Sequence, residues 1–322
     1  MRQFFYTVFG GLIAIACGIG IAYLGAAAWH FVRPRIDTIK IPVVGTAAVP
    51  VQTTGSDSTT ISGMKRTIRF TADEEEDLIN AAAQALPSAA DKKITATAYI
   101  VKNLTRGDTA IEHNADQLQP IASLSKLVTA AVVRRLIAPE TRITLTQSIM
   151  ATYGNTAEFK IGETLTAGDM MYPLLMVSSN DAAEAYAQSY GRKKFIQAMN
   201  DFTQSIGAYR TYFADPSGLS EKNVSTANDL AIILKWIHDN DPEIINITAL
   251  KSKTIRSHTF INPTHFLSWS YYVGGKNGYT PEADRTAASL FALGKNKNLY
   301  AVIVLGSESR DGDELKLLAK VE

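Results

Sequence analysis

The first pattern along the chain is an absence of charge: from Phe4 to Val32 no Asp, Glu, Lys or Arg occurs. That run is longer than the roughly 20 apolar residues a helix needs to cross a bilayer, so residues 1–35 are expected to form a transmembrane helix that anchors the protein. A cleaved signal peptide is the alternative, with Ala26-Ala27-Ala28 supplying small residues for cleavage, but the apolar stretch outruns a usual signal core. Cys17 does not read as a lipidation site, because the sequence stays apolar well beyond it. Residues 36–70 turn polar, and Thr53-Thr54-Gly55-Ser56-Asp57-Ser58-Thr59-Thr60 has the composition of a flexible linker that buries little.

A folded body is expected over 71–322. Thr71-Ala72-Asp73-Glu74 is a capping box opening an amphipathic helix, with acids in its first turn and Pro87 past its end. Ile94 to Val101 alternates as a strand does, Thr105-Arg106-Gly107-Asp108 turns the chain, and a second short strand follows. From Ser123 to about Asn246 the pattern reads helical. Ala287–Leu293 and Leu299–Leu305 are two apolar strands joined across Gly294-Lys295-Asn296-Lys297-Asn298, a hairpin. Strands at both ends with helices between them predict an α+β fold, one antiparallel sheet packed against a largely helical region.

Composition narrows the chemistry. The chain of 322 residues is 46% hydrophobic, enough for a sizeable core, and its 32 basic residues nearly cancel 31 acidic ones. No net charge points to nucleic acid as a partner. One cysteine excludes an internal disulfide and Cys-based metal sites, and none of the five histidines pairs at the spacing zinc hydrolases use. Neither a metal nor a cofactor is expected.

The candidate chemistry starts at Ser123-Leu124-Ser125-Lys126. On a helix, S-x-x-K brings hydroxyl and amine to one face. A serine needs a base, and lysine serves only when neutral; at its ordinary pKa about one in 2,500 is neutral at pH 7, so burial or a nearby cation must depress it. Ile121, Leu127, Val128 and Ala130 supply apolar surroundings. The spacing alone is weak: Ser62-Gly63-Met64-Lys65 also fits it, in the polar linker with no packed shell, and Ser123 is equally readable as a plain helix N-cap.

Two further segments change the weighting. Ser178-Ser179-Asn180 follows the apolar Leu174-Leu175-Met176-Val177 and precedes a helical run. Its hydroxyl suits a proton relay, and its amide suits holding a lysine or a substrate carbonyl; without chemistry it is a capped helix junction. In Gly274-Gly275-Lys276-Asn277-Gly278-Tyr279-Thr280 the glycines let a ligand approach a strand and Lys276 adds a cation; without chemistry it is a glycine-rich turn.

Together and in this order, the three resemble the S-x-x-K, S-x-N and K-T-G motifs of the penicillin-recognising serine enzymes. The likeness is greatest to the serine-type D-alanyl-D-alanine carboxypeptidases, the low-molecular-mass penicillin-binding proteins. Supporting stretches are Pro120-Ile121-Ala122, Asn180-Asp181-Ala182, Asp215-Pro216-Ser217-Gly218-Leu219 and Ser225-Thr226-Ala227-Asn228-Asp229-Leu230, and the resemblance runs from about Ile94 to Gly306.

That resemblance implies a β-lactamase/transpeptidase-like fold. It implies that Ser123 is acylated with Lys126 as base, and that Ser178 and Asn180 serve proton transfer and positioning. Lys276 sits beside Lys126 and orients the peptide carboxylate, with Asn277, Gly278 and Tyr279 on the substrate-binding strand. The N–H groups of Ser123 and Tyr279 form the oxyanion hole. Peptidoglycan stem peptides are the implied substrate and β-lactams the implied covalent inhibitors. The same residues serve an endopeptidase or transpeptidase. A β-lactamase is disfavoured because no clear E-x-x-x-N element follows.

Two features depart from the family pattern. Asn277 stands where the family has Thr or Ser, which leaves a catalytically impaired wall-binding homologue as an alternative. The family's carboxylate-binding arginine has Arg310 as its candidate. The end at Glu322 also leads us to expect that the C-terminal β-rich domain of some relatives is missing. Only Arg2 precedes the apolar run, whereas Arg33, Arg35 and Lys40 follow it, which by charge alone keeps the body in the cytoplasm. Long domains translocate largely regardless of flanking charge, so the enzyme reading places it on the extracytoplasmic side of the cell membrane, tethered by a single pass.

Overall fold

The computed structural model describes residues 93–321. The apolar run, the linker, its S-x-x-K copy at Ser62 and the capping box at Thr71 lie outside these residues. Among those described, no helix is long and apolar enough to cross a membrane.

The strands in chain order are β1 (Ala98–Asn103), β2 (Thr109–His113), β3 (Gln119–Pro120), β4 (Arg142–Thr144), β5 (Thr164–Thr166), β6 (Val224–Ser225), β7 (Ser252–Ile255), β8 (His258–Ile261), β9 (Tyr272–Thr280), β10 (Asp284–Leu293) and β11 (Asn298–Ser307). The α-helices are α1 (Ser125–Leu136), α2 (Gln147–Met150), α3 (Ala167–Met176), α4 (Asn180–Tyr190), α5 (Arg192–Ser205), α6 (Ala227–Asn240), α7 (Pro242–Thr248) and α8 (Arg310–Leu318). One antiparallel sheet runs in the order β2-β1-β11-β10-β9, so strands from both ends of the described segment build the sheet and α1 to α7 come from between them, as the pattern predicts, whereas α8, which the pattern did not predict, follows β11.

β10 and β11 are apolar on both faces because both faces are covered. Ala288, Leu290, Ala301, Ile303 and Leu305 join the large core shared with the helices, whereas Ala287, Phe291, Val302 and Val304 pack with Phe266, Leu317 and Leu318 beneath α8. Helix α1 runs through the centre of the helical region, buried from Ser125 through Val133. Its polar residues are satisfied locally: Ser125 Oγ donates to Ala122 O at 2.8 Å and Thr129 Oγ1 to Pro216 O at 2.5 Å.

Two sequence expectations need correction. The first strand begins at Ala98, not Ile94. The N–H groups of Thr95 and Ala96 donate to the buried Asp313 carboxylate at 2.9–3.1 Å, so this segment docks on α8 instead of extending the ladder. The middle is also not helical throughout. The two-stranded ladders β3–β6, β4–β5 and β7–β8 interrupt or follow the helices, each too short for a period-two pattern to register.

Candidate active site

Ser123 sits where the sheet's edge meets the helical region. Ala122–Leu124 form a single 3-10 turn leading directly into α1, so Ser123 precedes the α-helix and Lys126 lies in its first turn. Ala122 takes φ +47°, a left-handed conformation costly for a residue with a Cβ and characteristic of over-determined functional sites. Three contacts impose it. Thr286 Oγ1 of β10 donates to Ile121 O at 3.2 Å. Gly218 is so close that a Cβ there would lie 1.8 Å from Ala122 O, and a Cβ on Gly278 would lie 2.9 Å from Ser123 N. The glycine of the third motif therefore has a packing role: only a residue without a side chain lets β9 lie against the turn that carries Ser123.

Lys126 is wholly buried, and its Nζ lies 2.9 Å from Ser123 Oγ, 2.7 Å from Asn180 Oδ1 and 2.6 Å from Ser217 O. Two of these partners can only accept. A neutral amine satisfies them with its two N–H donors and turns its lone pair to the one partner that owns a proton, the Ser123 hydroxyl. The electrostatics favour that form. Burial holds the Lys126 pKa well below the ordinary lysine value, Lys276 pushes it further down, and Asp215 opposes the shift.

Asn180 is oriented by a residue the sequence did not single out. Its Nδ2 donates to Tyr153 O at 2.8 Å, which fixes the amide with its oxygen toward Lys126. A main-chain carbonyl leaves no mark in the sequence, and the only local signal is Gly154 beside it, at φ +87° with space for its Cβ 3.2 Å from Asn180 Nδ2. Asp215 and Asn223 were likewise not assigned a role. The Asp215 carboxylate accepts from the N–H groups of Ser217, Gly218 and Ser220, shaping the loop that offers Ser217 O to Lys126. Asn223 Nδ2 ties that loop to Ser125 Oγ at 3.0 Å.

Ser178, at φ +59°, has a buried Oγ with no hydrogen-bond partner among the described residues. It is thus beside Asn180 in sequence but bonded to neither lysine. Lys276 is buried on β9 and its Nζ donates to Asn277 O at 2.7 Å. Burial, followed by the charge of Arg310, lowers its pKa to about 7. Arg310, at the start of α8, is thereby electrostatically linked to the same end of the cleft. The Asn277 side chain makes no hydrogen bond among the described residues, and Tyr279 is exposed on the edge strand. A cavity of about 450 Å³ borders Ser217, whose carbonyl meets Lys126, and is lined also by Tyr153, Glu184, Arg192 and Leu219. Among the described residues no group of three or more His, Cys, Asp or Glu is arranged to hold a metal.

Residues 83–308 match the D-alanyl-D-alanine carboxypeptidase family. The chain is 32% identical over 192 residues to a D-alanyl-D-alanine endopeptidase of Escherichia coli K12, a match covering 57% of this chain and 59% of that relative. It is 29% identical over 241 residues to the D-alanyl-D-alanine carboxypeptidase DacA of Haemophilus influenzae, covering 70% of this chain and 60% of the relative. The chain thus spans less than two thirds of the length of these two relatives. A D-alanyl-D-alanine carboxypeptidase structure from Mycobacterium tuberculosis superposes with a TM-score of 0.65 at 25% identity, over 70% of this chain and 90% of that one. The architecture is therefore β-lactamase/transpeptidase-like. A match that takes in Ser123, Lys126, Ser178, Asn180 and Lys276 shows that the chain belongs to the D-alanyl-D-alanine carboxypeptidase family.

Proposed function

We propose that the protein is a serine peptidase acting on the D-alanyl-D-alanine end of peptidoglycan stem peptides. The observation that carries this reading is the donor balance around Lys126 Nζ, which leaves its lone pair for the Ser123 proton. Ser123 Oγ attacks the carbonyl of the penultimate D-alanine as Lys126 takes its proton. The tetrahedral oxyanion forms against the Ser123 and Tyr279 N–H groups. Collapse breaks the peptide bond and expels the terminal D-alanine, whose amine receives a proton through Lys126, with Ser178 as relay. Lys126, neutral again, then takes a proton from the water that attacks the ester, and on collapse passes it to Ser123 Oγ as the shortened peptide leaves with a free carboxylate. The free edge of β9 supports binding of an extended peptide by main-chain hydrogen bonds, with Lys276, Asn277 and Arg310 receiving its terminal carboxylate. β-Lactams acylate the same serine.

A second reading, cleavage of D-alanyl cross-links between stems, is favoured by the E. coli relative, which is named an endopeptidase. Release of D-alanine from a pentapeptide, measured against cleavage of cross-linked dimers, separates the two. Labelling with a fluorescent penicillin tests both: an adduct is expected on the parent and absent on Ser123→Ala, and a parent that forms no adduct overturns the catalytic reading. The apolar run Phe4–Val32 supports a single-pass anchor with the body on the extracytoplasmic side. Protease treatment of spheroplasts is expected to digest that body, and a protected body refutes the placement.

A further inference from the structure

Behind the carboxylate end of the cleft, two segments outside the three motifs meet. The single 3-10 turn His265–Ser268 packs Phe266 against Phe291 and Tyr272 on the outer face of the sheet. From that turn, His265 Nδ1 lies 2.5 Å from Asp311 Oδ2, and the other carboxylate oxygen, Asp311 Oδ1, accepts from Arg310 Nε at 2.8 Å. One carboxylate therefore joins the two, with its two oxygens divided between a histidine from one element and an arginine from another.

The location makes this pairing consequential. Arg310 is the first residue of α8, where the helix dipole and unsatisfied N–H groups disfavour a cation, and Asp311 supplies the local counter-charge. With Nε engaged, the two terminal guanidinium nitrogens have no hydrogen bond among the described residues. A guanidinium held at Nε is fixed in plane and retains only its end-on fork for a carboxylate. Its charge already reaches Lys276 at the cleft. One turn further along α8, Glu314 is fully buried. Burial raises its pKa to about 8, so near neutral pH it does not compete with Asp311 as an anion.

We propose that Asp311, itself held by His265, is a positioning residue that presents the terminal nitrogens of Arg310 to the C-terminal carboxylate of the substrate. This rests on Arg310 as the carboxylate receptor, which is part of the proposed function. It adds that the receptor's direction is set from outside the cleft, by a two-residue support reaching from the turn at His265 to the start of α8.

The test compares two substrates on the full-length protein: an acylated peptide ending in D-alanyl-D-alanine and the same peptide ending in the carboxamide. The quantity read is the ratio of kcat/KM on acid to that on amide. That ratio is internal to each variant, so a loss of folded protein cancels. Asp311→Asn is expected to lower the ratio on the order of tenfold, mainly through KM on the acid, as removal of a charge-assisted hydrogen bond does. Asp311→Glu is expected to restore part of it, and His265→Ala to lower it less. Arg310→Ala is expected to lower it most, with Asp311→Asn adding nothing on that background. A ratio unchanged in Asp311→Asn but lowered in Arg310→Ala overturns the positioning role alone. A ratio unchanged in Arg310→Ala overturns the carboxylate reading, and the positioning role with it.

Discussion

Lys126 Nζ stands 2.9 Å from Ser123 Oγ while its other two partners are oxygens that only accept. The neutral form of the lysine fits this geometry, and complete burial followed by the nearby Lys276 charge lowers its pKa in that direction, against the charge of Asp215. Lys126→Ala is expected to lose acylation by fluorescent penicillin by at least about a hundredfold, the lower range for removal of a general base. Circular dichroism checks that the fold persists. An undiminished acylation rate refutes the role.

Gly218 and Gly107 both take φ +87°, but only Gly218 faces a neighbour, with a Cβ 1.8 Å from Ala122 O. Gly107→Ala is expected to cost about 1 kcal/mol, the left-handed penalty alone, with normal acylation. Gly218→Ala adds a backbone clash, expected to cost about 1–3 kcal/mol more, and moves the nucleophile turn so that acylation falls. Thermal unfolding and penicillin labelling of the two variants check this. Equal behaviour contradicts the account of the turn at Ala122.

Lys276 is held near pKa 7 by burial and by Arg310, so in the free enzyme its charge is present below that pH and lost above it. If the cation recruits the substrate carboxylate, kcat/KM on the acid peptide falls on the alkaline side from about pH 7. Lys276→Arg keeps its charge across that range and is expected to move this limb to higher pH. A limb in the same place in both proteins argues against Lys276 as its source.

Glu314 shows the opposite sense of linkage. Its carboxyl keeps its proton to about pH 8 in the folded protein, against 4.5 ordinarily. Between those values the unfolded state ionises and the folded state does not, so stability declines as pH rises through the window, at most about 1.4 kcal/mol per pH unit. Glu314→Gln is expected to flatten that slope, read from urea unfolding at pH 5, 6.5 and 8. An unchanged slope shows that Glu314 is not its origin.

The overall plan was readable because it rests on patterns the sequence carries. The two strands of the hairpin, Ala287–Leu293 and Leu299–Leu305, are apolar at almost every position, which a strand tolerates only when both faces are covered, and β10 and β11 are the strands so covered. The short ladders and the start of β1 were not readable. The first carry too few residues for a period. The second depends on Asp313, 218 residues away from Thr95.

At the cleft the same division holds. Residue identity determined which groups can act: a serine and lysine three apart, an amide beside a second serine, a lysine among glycines, all legible as side chains in order along the chain. Their electrostatic state was not legible, because a pKa depends on burial and on charges brought near by folding. Tertiary structure also decided the supports that have no side-chain signature or no motif: Tyr153 O turning the Asn180 amide, Ser217 O under Lys126, and Gly218 beneath Ala122. These join segments separated by tens of residues, and only chain packing sets such distances. By itself, the sequence determined the chemistry on offer at Ser123 and Lys126. The fold decided that the lysine is buried and aimed at Ser123 Oγ, since only packing sets the surroundings that tune an amine.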